Sequence, residues 1–240
     1  MVYPSETSEE PRTADAPVLD WASTDLANDY AGHYVKIIDG VFSPEDCAEL
    51  IKLAESDSKW KQAAVHYGMG ADQNYVNTDY RNSERILRFD NDAAEKLYKK
   101  LLPYVHELVE VKAGSKWEGI FGQRGPVKGT WNLVGLNERL SFLKYRKGHY
   151  FRSHCDGQLD LPDGRKSRVT LQIYLGEDGV QGGATRIEGR KGKHLDVLPK
   201  KGRVLIFQQR NIWHNGQDVE KGIKYAVRSD FMFRHTPESE

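Results

Sequence analysis

The sequence predicts an α+β chain, mainly β, with N-terminal helices packed against a jelly-roll core. Three observations predict it. Two segments of the first half carry apolar residues at helical spacing. After Gly135 the texture changes to short alternating or apolar runs separated by turn residues, the pattern of a sandwich or barrel. The length of 240 residues, 38% of them apolar and with 5 Trp, 12 Tyr and 8 Phe, suffices for one large core.

The elements follow in order. Residues 1–28 are rich in Ser, Glu, Pro and Thr and are expected to form a flexible tail ahead of one domain spanning 29–240. Residues 33–38 alternate and read as a short strand. Ser43-Pro44-Glu45-Asp46 opens a helix, with Ser as N-cap, Pro at the first helical position and an acid at the third. Its apolar stripe is Cys47, Leu50, Ile51 and Ala54. Residues 66–83, rich in Gly, Asn, Asp and Tyr without a period, read as a loop. A second helix follows Asn91-Asp92, carrying Ala94, Leu97, Leu101, Val105 and Leu108 on one side, and Pro103 is expected to kink or split it. Residues 112–134 are Gly-rich and irregular. The core jelly roll is expected over about 135–234, from runs at 136–145, 169–175, 184–187, 204–208 and 225–233.

Charge and cysteine content narrow the function classes. Lys+Arg and Asp+Glu are both 35, so no global charge points to nucleic acid. The basic run Gly189-Arg190-Lys191-Gly192-Lys193 reads as a solvated turn. No stretch approaches the roughly 20 apolar residues of a membrane span, and the start lacks the apolar core of a secretory signal. Two cysteines, Cys47 and Cys155, make a disulfide framework improbable. A reducing cytosolic or nuclear setting, with no membrane partner, is the simplest expectation.

The chemistry concentrates at His154-Cys155-Asp156 and His214. Among 8 histidines a His-x-Asp means little alone; His33, His66, His106, His149, His194 and His235 are read as surface or hydrogen-bonded. In a strand, however, side chains two apart share a face, so His154 and Asp156 project together with Cys155 turned away. His214 arrives sixty residues later, just after the apolar run Val204-Leu205-Ile206-Phe207. Two imidazoles and one carboxylate form the facial set that holds a non-haem Fe(II) and leaves positions open.

Five motifs follow one another around these residues: Tyr145-Arg-Lys-Gly148-His-Tyr150-Phe-Arg-Ser-His154-Cys-Asp156, Arg168-Val-Thr170-Leu-Gln-Ile-Tyr174-Leu, Gly182-Gly183-Ala-Thr185-Arg-Ile, Leu198-Pro199-Lys-Lys-Gly202-Arg-Val-Leu-Ile-Phe207, and His214-Asn-Gly216 with Gly222-Ile-Lys224-Tyr. With them, residues 136–234 resemble the 2-oxoglutarate/Fe(II)-dependent dioxygenases of the prolyl 4-hydroxylase type. Arg81-Asn82-Ser-Glu-Arg85 and Gly135-Leu-Asn137-Glu-Arg139-Leu extend the resemblance upstream.

The resemblance implies a double-stranded β-helix, Fe(II) on His154, Asp156 and His214, and 2-oxoglutarate as cosubstrate, with ascorbate as a candidate reductant. It implies that Lys224 anchors the far carboxylate of 2-oxoglutarate and that Tyr145 bonds to it. Arg228, four residues on and on the same face, is the competing anchor. Thr170 and Tyr174 share a parity and are further cosubstrate candidates. Strand parity with Tyr145 makes Asn137 and Arg139 candidates for gripping substrate, and Arg81 and Arg85 could reach over the same mouth. The implied reaction hydroxylates an unactivated C–H of a prolyl or other side chain in a peptide or protein. A free amino acid or small metabolite is the alternative substrate, while desaturation and ring formation are alternative outcomes. An iron-free binding module and a zinc protein of similar fold are further readings; the intact triad opposes the first, and the second does not need the Lys224 cation. Nothing indicates the oligomeric state.

Overall fold

The computed structural model describes residues 1, 16–66, 74–122, 128–176 and 179–238. Expectations for the tail before residue 16 and for the loop at 67–73 lie outside these residues. The architecture is α+β, mainly β. Strands are numbered β1–β18 in chain order.

The larger sheet runs β1 (Val35–Ile38), β15 (Val204–Gln208), β11 (Lys166–Tyr174), β18 (Lys224–Thr236), β9 (Arg139–Tyr145), β6 (Glu84–Phe89) and β2 (Lys61–Gln62), with β8 (Thr130–Leu136) and β7 (Glu110–Lys112) added beside β18. The smaller sheet runs β14 (His194–Val197), β13 (Thr185–Glu188), β16 (His214–Gly216), β10 (Tyr150–His154) and β5 (Arg81–Asn82). Two ribbons complete the set: β3 (Val65–His66) with β4 (Asn74–Tyr75), and β12 (Gln181–Gly182) with β17 (Val219–Lys221). Every pairing among the named strands is antiparallel.

The helices are α1 (Ala27–Tyr30), α2 (Pro44–Glu55) and α3 (Asn91–Leu101). The expected start of α2 is realised as a capping box: Ser43 Oγ accepts from Asp46 N–H, and the Asp46 carboxylate accepts from Ser43 N–H. The cap of α3 is Asp90, whose carboxylate accepts from Ala93 N–H. Pro103 ends the α-helical run, and the chain continues through two short 3-10 turns.

Alternation in β11 sorts its residues between two cores. Val169, Leu171 and Ile173 join the helices in the main core, with Cys47, Ala54, Leu97 and Leu101. Tyr174 joins a second core built by both sheets, with Val35, Ile187, Leu195 and Phe207.

Three expectations need correction. The described part of the expected tail is packed: Trp21 and Leu26 are buried in the second core, because these few apolar residues find a pocket beside β1. Residues 84–89, between the expected loop and α3, carry no expected element and form β6. Each of its faces mixes charged and apolar residues, so no two-residue period marks it: Ile86 is buried in the core while Arg88, on the same face, bonds to Asp57 and Asp90. Residues 130–136 form β8 and the next strand begins only at Arg139, so Asn137 sits in the connecting turn. A turn breaks the two-residue alternation, and the parity argument for Asn137 goes with it.

Candidate metal centre and active site

β10 and β16 lie side by side with His154 directly opposite His214. Asp156 follows β10 by two residues and completes the cluster just past the strand end. The donor atoms all lie within 4.8 Å of one another. His154 Nε2 is 3.8 Å from Asp156 Oδ1, and His214 Nε2 is 4.0 Å from Asp156 Oδ2. Spacings of this size bracket one divalent ion, whose bonds to such donors are about 2.0–2.2 Å.

Both imidazoles are prepared for this. Each Nδ1 faces the backbone carbonyl two residues earlier, Arg152 O at 2.7 Å and Ile212 O at 3.1 Å. With Nδ1–H donating there, Nε2 carries the lone pair that binds metal. Burial, then the neighbouring His214, pull His154 down to about 3, so its ring is neutral. Phe151 stacks on His154 at 3.8 Å between centroids, and Phe207 meets His214 edge-on at 4.9 Å.

Burial works against an ionised Asp156, but Arg228 and the two imidazoles outweigh it and hold the carboxyl well below its ordinary range. Arg228 Nη2 lies 3.1 Å from Oδ1, and the Thr170 hydroxyl donates to Oδ2 at 2.7 Å. The donor set is nitrogen and oxygen only, rigidly held and partly desolvated, and it fits iron(II).

One cavity joins the triad to Arg81, Arg85, Arg139, Tyr145, Lys224 and Arg228. Lys224 stands at its inner end, 4% exposed, donating to Gly183 O at 2.7 Å. Its ammonium lies 5.1 Å from the Tyr145 ring centroid and 5.5 Å from that of Tyr174. Among the described residues no carboxylate pairs with it, and burial alone brings it down to about 7.

The other cosubstrate candidates divide. Tyr145 lines the cavity. Thr170 instead grips Asp156. Tyr174 is fully buried behind the cavity, its hydroxyl donating to Thr185 Oγ1 at 2.7 Å. Arg228 is engaged by Asp156 and, at 3.4 Å, by Asp230. Of the substrate candidates, Arg81, Arg85 and Arg139 line the cavity, while Asn137 does not. Asn137 Oδ1 accepts from Arg139 N–H at 3.0 Å and stabilises the turn before β9.

Sequence reasoning passed over Gln172, Ser141 and Asn215, which line the cavity as well. Gln172 shares the parity of Thr170 and Tyr174 and was open to the same argument. Ser141 shares that of Tyr145. Asn215 directly follows His214, so strand alternation turns it the other way, and no local pattern signals its place.

Comparison with known proteins agrees with this geometry. Residues 140–229 match the family described as the 2OG-Fe(II) oxygenase superfamily. Comparison with curated proteins returned no match. Among solved structures, a prolyl-4-hydroxylase from Pseudomonas putida aligns at 17% identity over 88% of this chain and 98% of that one, with a TM-score of 0.56. A Trichoplax adhaerens prolyl hydroxylase, solved with a hypoxia inducible factor oxygen degradation domain peptide, aligns at 18% identity over 86% of each chain, TM-score 0.53. The collagen prolyl hydroxylase of Paramecium Bursaria Chlorella virus-1, in complex with 2OG, aligns at 19% identity over 86% of this chain and 99% of that one, TM-score 0.51. At these identities the alignments report the fold. The sequence match over residues 140–229, joined to a His-Asp-His triad set for iron, gives the chain the character of a 2OG-Fe(II) oxygenase, an oxidoreductase whose site fits iron(II) and 2-oxoglutarate.

Proposed function

We propose that this enzyme hydroxylates an unactivated C–H on a prolyl or other side chain of a peptide or protein. The observation that carries the substrate side is the shape of the site's surroundings. β6 and β9 are paired with Arg85 opposite Leu143, Leu87 opposite Ser141 and Phe89 opposite Arg139. Directly opposed residues point to one face, so Leu87 and Phe89 continue the cavity's face out to solvent. Phe89 is 72% exposed and Leu87 38%. An open apolar shelf beside a reacting centre suits a chain running across it better than a small molecule enclosed within it. The fold shared with prolyl hydroxylases, one of them solved with a peptide, supports the same reading.

The same proposal includes the finer architecture and the cosubstrate contacts. The two sheets are read as a double-stranded β-helix within one catalytic domain over 29–240, with the packed residues from Ala16 as its edge. Lys224 is read as the anchor of the far carboxylate of 2-oxoglutarate, since a buried ammonium without a carboxylate asks for one. Arg228 is already committed to Asp156, which favours Lys224 over it. Tyr145 flanks that carboxylate. Ascorbate is the candidate reductant.

Bound iron(II), with 2-oxoglutarate and dioxygen, supplies the chemistry: succinate and carbon dioxide form, and one oxygen atom enters a substrate C–H bond. The protein's own work is to hold and to orient. His154 and His214 present their Nε2 atoms; Thr170 and Arg228 keep Asp156 ionised and fixed. The rings of Phe151 and Phe207 exclude water on the imidazole side.

Turnover of 2-oxoglutarate to succinate, measured against a peptide library and a panel of free amino acids and metabolites, tests the reading. Stimulation by peptides with a +16 mass shift is expected. Stimulation confined to the metabolite panel would overturn it.

A further inference from the structure

The cavity carries more positive charge than iron and cosubstrate can use. Among the described residues, Arg81, Arg85, Arg139, Lys224 and Arg228 line it against one carboxylate, Asp156. Asp230 stands behind Arg228 and also accepts from Gln209 Nε2 at 2.9 Å. Iron(II) and the 2-oxoglutarate dianion cancel each other, so filling the site leaves the excess in place.

The guanidiniums are not spoken for elsewhere. Arg81 is buried over the Phe151 ring at 4.6 Å, its Nε donating to Ser83 Oγ at 3.1 Å. Among the described residues no carboxylate lies within ion-pair distance of Arg81, Arg85 or Arg139. Elsewhere the chain meets its arginines with acids, as in Arg165 with Glu138 and Arg186 with Asp196. Burial, and then Arg81, Arg139 and Arg228 as neighbours, push Arg85 down to about 10, the mark of cations crowded without a counterion.

Arg85 and Arg139 also stand at the edge of the shelf. Arg139 is opposite Phe89, and Arg85 lies one alternate position from Leu87 on the same face. Lys61 of β2 is opposite Arg85 and exposed, which adds a further cation to that rim.

Resting on the peptide reading above, we propose that the substrate is an acidic peptide segment: Arg85 and Arg139 pair with carboxylate side chains flanking the oxidised residue, while Leu87 and Phe89 take an apolar neighbour. The guanidinium fork matches a carboxylate in two parallel bonds, so it reads an Asp or Glu at a set distance from the iron. Charge complementarity also raises the encounter rate and rejects basic segments.

The test offers the iron-loaded enzyme a fully randomised dodecapeptide library, sequences the peptides that gain 16 mass units, and repeats the selection with R85E/R139E. Enrichment of Asp or Glu by at least about threefold near the modified residue is expected, changing to Lys or Arg in the double variant. Should that variant not fold, R139Q alone is expected to lose the acidic enrichment without gaining a basic one. A fluorescein-labelled peptide from the selected set should bind the iron-free protein, at least about tenfold more weakly after R139Q and more weakly with rising salt. Modified peptides without acidic enrichment, or enrichment indifferent to Arg85 and Arg139, would overturn the acidic specificity and leave the peptide reading standing. No modified peptide at all, with turnover of free amino acids, would overturn both.

Discussion

Arg203 and Lys224 are both buried cations of the larger sheet region, and among the described residues only Arg203 meets a carboxylate. Arg203, fully buried, forms two bonds to Asp39, at 2.6 and 2.9 Å. Lys224, equally enclosed, meets a carbonyl oxygen and two aromatic rings. The first is complete within the chain and contributes to folding. The second is complete only with a ligand. Buried charge is costly unless paired, so a cation that the chain leaves without an anion marks a place where one is to arrive.

Removing the metal ligands breaks the functional side of this comparison most severely. His214→Ala or His154→Ala should abolish iron retention and succinate formation, read by metal analysis and by product. Full activity in the His214 variant would show that the cavity is not the reaction site.

Lys224→Ala comes next. Loss of a buried ion pair costs about 3–5 kcal/mol, so the 2-oxoglutarate requirement should rise by roughly two to four orders of magnitude while iron still binds. Arg228→Ala should weaken iron retention instead, because it releases Asp156. The reverse pattern would make Arg228 the anchor.

Arg203→Ala should have a loss of similar size, about 3–5 kcal/mol, but in folding stability, measured by denaturant unfolding. Cosubstrate affinity of the protein that remains folded should change little. A large loss of affinity at unchanged stability would erase the distinction between the two cations.

Acidity sharpens it further. The Lys224 value of about 7 in the folded protein lies below its ordinary 10.5. Between those values the unfolded chain binds more protons, so the stability contributed by this group rises with pH across that window. A bound dicarboxylate needs the protonated form. Cosubstrate affinity should therefore fall above about pH 7, by up to about tenfold per unit because one proton is taken up, and Lys224→Met should flatten the profile. A wild-type affinity independent of pH from 6 to 9 would contradict the assignment. The smallest effect belongs to Thr170→Val, which removes one hydrogen bond from Asp156. Iron affinity should drop about tenfold, near the lower end for such outer partners, and an unchanged affinity would make the Thr170 bond incidental.

Much of the site was legible beforehand because strands carry a short, strict period. The alternating faces of β11 and the four-residue spacing of Lys224 and Arg228 in β18 follow from that period, whereas Asp156, two residues past the end of β10, joins His154 without lying in the strand. Local chemistry was equally direct where it is self-contained, as in the capping box of Ser43 and Asp46. Reading failed where the period was interrupted or short. Asn137 was assigned to a strand that begins two residues later, and β6, with charged and apolar residues mixed on both faces, carries no period to read.

The order of residues sets which side chains are able to bind iron and an anion, and the alternation that brings neighbours in one strand to a common face. Only the tertiary structure decided the partners. It set His154 opposite His214 across two strands sixty residues apart, gave Asp156 to Thr170 and Arg228, and left Lys224, Arg85 and Arg139 without an acid among the described residues. The physical reason is that a charge acquires its meaning from what lies within a few ångströms of it, and those neighbours come from β6, β9, β11 and β18, distant in the chain and adjacent only once the sheet has formed.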